Sequence, residues 1–400
     1  IERAGLDQAI DRGADLLAGD IVEVHSQLHD TGRRIIMRLL RHRLILPPSG
    51  PTQRRLYNRP MPGPPAHYHP LVRSVAKSLR QRCDVHPGSA IVVGCSGGAD
   101  SVALLHALAM LAPRRKWRLR LIVGHVQHHL REEAETDAQF VEQLAASLNL
   151  PFARRDIHPA DLPGNLEANA RDLRYQSLAE IAFEHDASTI ATGHHADDQL
   201  ETLLMRILRG ASVAGLRGIA WSKPLPADDA KTTLQLIRPM LAMDRASILD
   251  LLDQLGQSFR EDTTNTDTSR TRAKIRHDVI PLLKAIQPDS PTKANALADH
   301  FREVHGLIQD AADEVACPKG SALVLGREVA RKMNPVVLTE VLRRALIDSG
   351  CAADQLSRGA LLPLITAARD QVGGDRRFQF THGIQLCITR QAITIHQVQD

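Results

Sequence analysis

Short apolar runs alternate with longer amphipathic stretches between residues 69 and 218. The runs are rich in β-branched residues and end at glycines or polar residues, which predicts buried strands. The longer stretches repeat apolar residues at helical spacing, as Phe140, Val141, Leu144 and Leu148 do, which predicts helices. We therefore predict strands near 90–95, 119–126, 151–157 and 188–193, separated by helices at 69–83, 102–111, 132–148, 165–184 and 196–209.

Strands that alternate with helices predict an α/β fold, with a doubly wound, Rossmann-like parallel sheet covered by helices on both faces. Such sheets bind ligands at the carboxyl ends of their strands. After residue 218 we predict strand 234–241, helix 245–255, linker 288–291 and a mostly helical C-terminal region with a small β element. Its expected elements are helices 294–316, 338–347 and 356–368, and strand-like runs 378–381, 386–389 and 392–395.

The pattern divides the chain into an extension (1–68), a nucleotide-binding catalytic domain (69–218), a continuation of that domain (219–287) and a C-terminal helical domain with a terminal β-hairpin (288–400). Residues 31–60 contain eight arginines and no acidic residue, and many prolines accompany them. Because prolines break regular elements, we interpret the extension as poorly ordered. The alternatives are a basic arm that contacts RNA and a start of translation at Met61.

Composition narrows the class of protein. The net charge is only +4, and 43% hydrophobic residues is ordinary for a globular chain. The five cysteines contain no C-x-x-C pair, so neither a zinc ribbon nor a cysteine-bound iron–sulfur cluster is indicated, and a reducing compartment fits. No apolar run approaches the about 20 residues that a membrane-spanning helix needs. We therefore expect a cytoplasmic protein that does not enter a membrane.

One turn after the first predicted strand carries clear chemistry, and it consists of Ser96, Gly97, Gly98, Ala99, Asp100 and Ser101. Two adjacent glycines let backbone N–H groups point into one concavity. The first turn of the following helix adds unpaired N–H groups and the positive end of its dipole. The two serine hydroxyls are further donors. The Ser96 turn, as we call residues 96–101, therefore predicts a phosphate site.

Asp100 does not suit a simple phosphate site, because its carboxylate would repel the anion. A Mg²⁺ ion shared by the carboxylate and the phosphates resolves this, so we predict a nucleotide triphosphate with a metal. The Walker lysine and the dinucleotide G-x-G-x-x-G spacing are both absent. The alternative is an ordinary glycine turn between a strand and a helix.

A second polar stretch, residues 193–202, follows the fourth predicted strand. Asp197 and Asp198 fall in the first turn of the next predicted helix. Because this stretch and the Ser96 turn both follow strands of one parallel sheet, we expect them at the same sheet edge. Helix capping is one alternative. A zinc site is another, although no cysteine or carboxylate at zinc spacing accompanies the nearby His125, His128 and His129.

Together these motifs resemble one family. The Ser96 turn matches the S-G-G-x-D-S signature of the PP-loop ATP pyrophosphatases. With residues 193–202 and 208–218, the chain resembles bacterial tRNA(Ile)-lysidine synthetases. Shorter segments that agree are 128–131, 170–175, 237–241, 261–265 and 275–281. Two positions depart from the family pattern: Ala273 stands where asparagine is usual, and His129 stands where glycine is common.

The resemblance implies a reaction. Such enzymes use ATP and Mg²⁺ to adenylate the C2 carbonyl oxygen of the wobble cytidine in an isoleucine tRNA with a CAU anticodon. The ε-amine of free lysine then attacks C2, and AMP leaves to give lysidine. The resemblance implies that residues 96–101 bind ATP, that Asp100 binds Mg²⁺, and that the reaction centre contains Asp100, His194, Asp197 and Asp198. The candidates for phosphates of ATP or tRNA are Arg171, Arg174 and Arg209.

Other interpretations remain open at the level of sequence. A tRNA cytidine 2-thiolation enzyme shares both signatures, but that family requires a C-x-x-C pair. A non-enzymatic tRNA-binding protein could retain the nucleotide fold, although a decayed site should lose its clustered carboxylates first. For an individual arginine, a surface ion pair is the alternative to phosphate binding. The sequence also leaves open whether the protein is a homodimer.

Overall fold

The computed structural model describes residues 69–129, 134–225, 233–260, 271–315, 324–352, 355–371 and 374–397. The predicted extension 1–68, the segment 261–265 and part of the 128–131 motif lie outside the described residues. None of the helices in this part of the chain has the length and hydropathy of a bilayer-spanning segment.

A six-stranded sheet forms the centre of the first half of the structure. Its strands are β1 (Ala90–Gly94), β2 (Arg120–Gln127), β3 (Phe152–Asp156), β4 (Thr189–Ala191), β5 (Ser222–Leu225) and β6 (Leu234–Ile237). The spatial order is β3-β2-β1-β4-β6-β5, and every neighbouring pair is parallel except β5 with β6. The predicted doubly wound sheet is thus confirmed. The antiparallel edge strand β5 escaped prediction because its two middle residues are exposed and it lacks an apolar run.

Helices connect these strands close to the predicted positions. They are α1 (Pro70–Gln81), α2 (Ala99–Leu111), α3 (Ala134–Ser147), α4 (Leu166–Glu184), α5 (Ala196–Leu208), α6 (Val213–Leu216) and α7 (Arg245–Leu255), with a 3₁₀ turn at Pro159–Asp161. Ile91, Val92 and Val93 of β1 are fully buried, and α2 is buried on nearly all sides. Because each such apolar side chain contributes about 1.5–3 kcal/mol, β1 and α2 hold the turn between them in place.

The second half is mostly helical and ends in a small sheet, as predicted. After α8 (Thr271–Lys274), a π-helical turn (Ile275–Val279) and α9 (Ile280–Ile286) comes the long helix α10 (Ser290–Asp313). The remaining elements are β7 (Val324–Gly326), α11 (Arg327–Lys332), α12 (Pro335–Asp348), α13 (Arg358–Arg369), β8 (Arg376–Gln379), a 3₁₀ turn (Thr381–Gly383), β9 (Ile384–Ile388) and β10 (Ala392–Gln397). The sheet has the antiparallel order β7-β10-β9-β8, so it contains β7 besides the three predicted strands.

The predicted linker at 288–291 is present but shorter, since residues 287–289 connect α9 to α10, which already begins at Ser290. Pro291 lies in the first turn of this helix. A proline there sacrifices no intrahelical hydrogen bond, and its fixed φ suits a helix start. The proline therefore begins the helix and does not separate two elements.

A buried amide joins α5 to α10. Gln199 is fully buried. Its Oε1 accepts a hydrogen bond from the Ile219 N–H (2.6 Å), and its Nε2 donates to the Ile219 carbonyl (3.1 Å) and to Asn295 Oδ1 (3.2 Å). Gly218 has φ +60°, and a Cβ there would overlap the Gln199 amide. These contacts fix α5 against both the 218–219 backbone and α10.

Candidate active site

Two turns meet at the carboxyl edge of the sheet. β1 leads into the Ser96 turn, and its neighbour β4 leads into residues 192–195. The strand order reverses between β1 and β4, which is where open α/β sheets bind ligands. A Cβ on Gly193 would lie 2.9 Å from the carbonyl carbon and oxygen of Asp100, closer than real side chains approach. Glycine at this position therefore lets the two turns pack backbone against backbone.

The Ser96 turn presents its backbone toward a ligand. Gly97 has φ +89°, a conformation that favours glycine. Ser101 Oγ accepts a hydrogen bond from the Ser96 N–H (3.1 Å) and donates one to the Gly98 carbonyl (2.9 Å), which closes the turn. No side chain caps α2 at Gly98. The N–H groups of the first helical turn are therefore not taken by a side-chain cap and can receive an anion.

A cavity of about 430 Å³ lies over both turns. The predicted site residues that line it are Ser96, Gly98, Asp100, Ser101, Arg171, Arg174, His194 and Asp198. The structure does not bring Gly97, Ala99, Asp197 or Arg209 to its wall. Further lining residues include Gly94, Gly124, Val126 and Leu178, which give one region an apolar surface. The cavity thus combines anion donors, carboxylates, arginines and an apolar area.

A buried histidine lies among three carboxylates. His195 Nε2 is 3.6 Å from both Asp100 Oδ2 and Asp198 Oδ2, and its Nδ1 is 3.4 Å from Asp197 Oδ2. Burial lowers the pKa of His195. The negative charges and hydrogen bonds of Asp198, Asp100 and Asp197 outweigh burial and raise this pKa to about 10. Burial likewise raises the pKa of Asp100, yet His195 and Arg245 hold that pKa below its ordinary value. These directions favour a protonated His195 and an ionised Asp100 at neutral pH, whereas the Asp197 N–H, 3.3 Å from His195 Nδ1, can donate to that atom only in the neutral imidazole.

The pKa of the adjacent histidine, His194, shifts in the opposite direction. His194 lines the cavity, and its Nδ1 is 3.0 Å from Thr192 Oγ1. Burial lowers its pKa to about 3, with Arg238, Arg174 and Arg171 acting in the same direction against Asp198. His194 is therefore a neutral imidazole at physiological pH, able to accept a hydrogen bond.

Asp197 is not among the residues that line the cavity, and it ties α5 to α7 and α9. Its Oδ2 accepts the backbone N–H of Arg245 at the start of α7 (3.0 Å), and its Oδ1 forms an ion pair with Lys284 of α9. The neighbouring Asp100 receives the Arg245 side chain (Nη1 to Oδ1, 3.0 Å). The geometry thus ties Asp197 to the start of α7 and to α9, whereas Asp100 and Asp198 line the cavity.

Sequence reasoning missed a buried carboxylate that holds two arginines. Glu201 of α5 is only 1% exposed, and it pairs with Arg272 and with Arg276 (Nε to Oε2, 2.9 Å). Arg276 also donates to Asp198 Oδ1 (3.1 Å). Both arginines line the cavity, and Arg276 lies in the π-helical turn, a feature common at functional sites.

The site residues that the sequence analysis did not predict fall into two groups, those inside a recognised motif and one outside every motif. His195 and Glu201 belong to the 193–202 stretch, and Arg276 belongs to the 275–281 segment, so the motifs contained them without assigning them a role. Arg245 lies in none of the motifs, and only the packing of α7 beside the Ser96 turn brings it to Asp100.

The last of the predicted phosphate-binding arginines lies elsewhere. Arg209 is the exposed C-terminal cap of α5. The 13-residue helix separates it by about 20 Å from the carboxylates at the other end. Arg209 therefore cannot contact a small ligand in the cavity.

Asp100 and the Ser96 turn fit the Mg²⁺ ion that the resemblance implies, if phosphates of a bound nucleotide supply the remaining oxygen ligands. Among the described residues, no three histidine, cysteine or acidic side chains are grouped to hold a metal by themselves. Mg²⁺ is typically held by one or two carboxylates, several waters and substrate phosphates. The ionised Asp100 stands beside the anion donors of the Ser96 turn, and its Arg245 partner is half exposed and can move aside.

The chain is similar to several known proteins. A family model described as a PP-loop domain matches residues 69–283. A tRNA(Ile)-lysidine synthase from Geobacter sulfurreducens is 39% identical over 56% of this chain and 47% of its own length. One from Rhodopirellula baltica is 32% identical over 63% of this chain and 67% of its own length. Among solved structures, a U34-tRNA thiolase from Methanococcus maripaludis matches at 18% identity and TM-score 0.48, over 58% of this chain and 78% of that one.

The chain spans about half the length of several of the curated relatives that it matches. The matched region nevertheless contains both turns, the cavity and the arginines of α8 and the π-helical turn. Since the family model covers more than half of the chain, and a relative above 30% identity is covered over two thirds of its length, this chain belongs to the tRNA(Ile)-lysidine synthase family of PP-loop proteins.

Proposed function

We propose that this protein ligates lysine to C2 of the wobble cytidine in an isoleucine tRNA with a CAU anticodon. ATP is consumed, an adenylated cytidine is the intermediate, and lysidine, AMP and pyrophosphate are the products. The observation that supports the proposal is the junction of Gly193 with Asp100, beside which the Ser96 turn, Asp100 and Asp198 line one cavity. Membership of the family supports the choice of substrates.

In this proposal the Ser96 turn binds the β- and γ-phosphates of ATP through backbone N–H groups. Ser96, Gly98 and Ser101 face the cavity, whereas Gly97 and Ala99 shape the turn from behind. Asp100 holds Mg²⁺, which neutralises phosphate charge when bound. Reactions at phosphorus depend mainly on such positioning and charge neutralisation. The apolar surface at Gly94, Gly124 and Leu178 is suited to a nucleobase.

The second step needs lysine as a neutral amine, so a group in the cavity must take its proton. His194 is neutral and Asp198 is a carboxylate, and both line the cavity. We assign binding of the ammonium to Asp198, and to the neutral His194 a hydrogen bond that orients the amine, because burial keeps the pKa of His194 too low for it to hold the proton. Asp197 acts indirectly, by holding His195 and the start of α7.

Arginines outside and inside the cavity would contact the RNA or the nucleotide phosphates. Arg171 and Arg174 are inside, and the exposed Arg209 can meet only tRNA. We propose that residues 69–218 form the catalytic domain, that 219–287 extend it toward tRNA, and that 288–400 bind tRNA.

The decisive test is incorporation of radiolabelled lysine into a CAU-anticodon isoleucine tRNA transcript, with ATP and Mg²⁺. Label should appear only when both are present, and AMP and pyrophosphate should form in equal amounts. A matched reaction with a sulfur donor in place of lysine tests cytidine 2-thiolation. A folded protein that binds the tRNA without incorporating lysine would refute the proposed reaction and favour a binding protein.

A further inference from the structure

Asp100, the candidate metal ligand, is paired with a cation from a distant part of the chain. Arg245 Nη1 lies 3.0 Å from Asp100 Oδ1 and 3.3 Å from Asp100 Oδ2, so one guanidinium nitrogen donates to both carboxylate oxygens. These are the oxygens that a Mg²⁺ ion at Asp100 would use. Arg245 itself is not among the residues that line the cavity. It therefore occupies the carboxylate without filling the space that a nucleotide would enter.

The backbone of Arg245 is anchored, whereas its side chain is half exposed. The Arg245 N–H donates to Asp197 Oδ2 (3.0 Å), and the preceding Asp244 caps α7 by accepting the Ser247 N–H (2.9 Å). The side chain of Arg245 is 48% exposed, and Asp100 is the only carboxylate in the described part of the chain with which it forms an ion pair. The guanidinium can therefore leave Asp100 while its backbone stays at the start of α7.

Asp100 is also the most exposed of the four carboxylates at the start of α2 and along α5. Its side chain is 34% exposed, whereas those of Asp197, Asp198 and Glu201 are 13%, 12% and 1% exposed. An exposed ion pair is weak because water screens both charges, and a buried carboxylate cannot lose its cation without a large penalty. Of these four, Asp100 is thus the carboxylate whose cation is most easily exchanged.

A second anion site lies next to the Arg245 guanidinium. Asp100 belongs to the first turn of α2, whose N–H groups have no side-chain cap and are the predicted phosphate donors. A guanidinium that is 3.0 Å from Asp100 is therefore close to the terminal phosphates of a bound nucleotide. Guanidinium groups bind phosphate best through two parallel hydrogen bonds, and the contact with Asp100 uses only one nitrogen. A phosphate would therefore be a better partner for Arg245 than Asp100 is.

We infer that Arg245 is an exchangeable partner of Asp100: its guanidinium neutralises the carboxylate before a nucleotide binds, and it moves to the terminal phosphates once ATP and its metal ion occupy Asp100. Arg245 is then a further catalytic residue, because it contacts the pyrophosphate that leaves. The inference rests on the proposed function, since ATP supplies these phosphates.

The exchange makes the metal ion and the nucleotide depend on each other. An ion that binds without phosphates must displace Arg245 and leaves the guanidinium without an anion. An ion that arrives with the nucleotide brings phosphates that accept the guanidinium. Because each ligand then improves the binding of the other, the two are taken up together.

The first arm of the test measures metal binding by the full chain without nucleotide. Mn²⁺ replaces Mg²⁺ as the probe, and electron paramagnetic resonance counts the free ion. Arg245→Gln should bind Mn²⁺ about fivefold more tightly than the wild type, because a half-exposed ion pair no longer competes. The double variant Asp100→Asn, Arg245→Gln should lose this gain. Arg260→Gln removes an equal charge beside the Ser96 turn, where Arg260 pairs with Asp137, and should bind Mn²⁺ as the wild type does.

The second arm measures the binding of pyrophosphate in the presence of Mg²⁺ by calorimetry. Arg245→Gln should bind it about tenfold more weakly, as expected for the loss of a charge-assisted contact with phosphate. Arg245→Lys keeps a cation on a long side chain and should retain most of the affinity. A purely structural role of Arg245 would weaken both ligands together, whereas the exchange predicts opposite changes in one variant.

The inference is overturned if Arg245→Gln binds Mn²⁺ no more tightly than the wild type, or pyrophosphate no more weakly. It is also overturned if the gain in Mn²⁺ affinity persists in the double variant or appears equally in Arg260→Gln. If Arg245→Gln fails to fold, Arg245→Met carries both arms with the same outcomes. Wild-type protein that binds pyrophosphate without incorporating lysine refutes only the proposed reaction and leaves this comparison valid.

Discussion

Stability of the protein should fall as the pH rises, because of His195. The native pKa of His195 is about 10, whereas an unfolded histidine titrates near 6.5. The native state therefore retains a proton that the unfolded state has lost across this interval. The difference in pKa corresponds to about 5 kcal/mol, which is fully present below pH 6.5 and lost as the pH rises through 10.

The expected slope follows from one proton. Between about pH 7 and pH 9, the native state binds about one more proton than the unfolded state, so the free energy of unfolding should fall by about 1.4 kcal/mol per pH unit. Other groups also titrate in this range, and a His195→Gln variant removes only the contribution of His195. The difference in the free energy of unfolding between wild type and variant should therefore shrink by about 3 kcal/mol over the two pH units.

Urea unfolding at a series of pH values, with EDTA and without nucleotide, measures this difference. His194→Gln is a matched control, because His194 is the adjacent histidine, is partly buried, and has a pKa of about 3, so that it is neutral in the native state above pH 7. Its curve should run parallel to that of the wild type. If the wild type and His195→Gln also run parallel from pH 7 to pH 9, His195 is not an imidazolium in the native protein.

Three other substitutions test the site. Asp100→Asn should abolish lysine incorporation while the far-UV circular dichroism spectrum remains that of the folded protein, and unchanged activity would remove Asp100 from the metal site. Gly193→Ala should lower the free energy of unfolding by about 1–3 kcal/mol, because its Cβ would collide with the Asp100 backbone. Gly374→Ala, where a Cβ meets nothing, is its control, and equal stability of the two would refute the close packing. Glu201→Gln should lower the free energy of unfolding, because it removes the charge that pairs with Arg272 and Arg276. Water screens these half-exposed arginines, so the loss should be only about 2 kcal/mol, and turnover should also fall. A wild-type thermal midpoint with full turnover would show that Glu201 does not position them.

Local patterns predict the parts of the fold that depend on few residues. β1 and α2 are buried on both faces or nearly all sides, so their apolar runs identify them directly. The glycines of the Ser96 turn likewise mark a required backbone conformation. The edge strand β5 and the start of α10 at Ser290 were not predictable in this way, because pairing with β6 and first-turn proline chemistry decide them.

In the site, too, some features follow from the local sequence and others only from packing. Residues in the two turns, such as Asp100 and Asp198, follow strands and can be placed at one sheet edge from topology alone. The direction of each side chain cannot be read from the order of residues, so Asp197 and Asp198 appear equivalent in sequence although only Asp198 reaches the cavity. Arg245 reaches Asp100 across 145 positions of the chain, and only packing creates that contact.

The buried amide of Gln199 limits how this protein can be recombined with its relatives. Its hydrogen bonds span α5, the backbone at Ile219 and Asn295 of α10, and Gly218 leaves room for it. A chimera whose C-terminal half came from a relative with another residue at the Asn295 position would set that residue against an unchanged Gln199. Unless that residue also accepts a hydrogen bond, the donor is left unsatisfied in the interior, at about 1–3 kcal/mol. Exchange of the two halves should therefore succeed only when the three partners are transferred as a set.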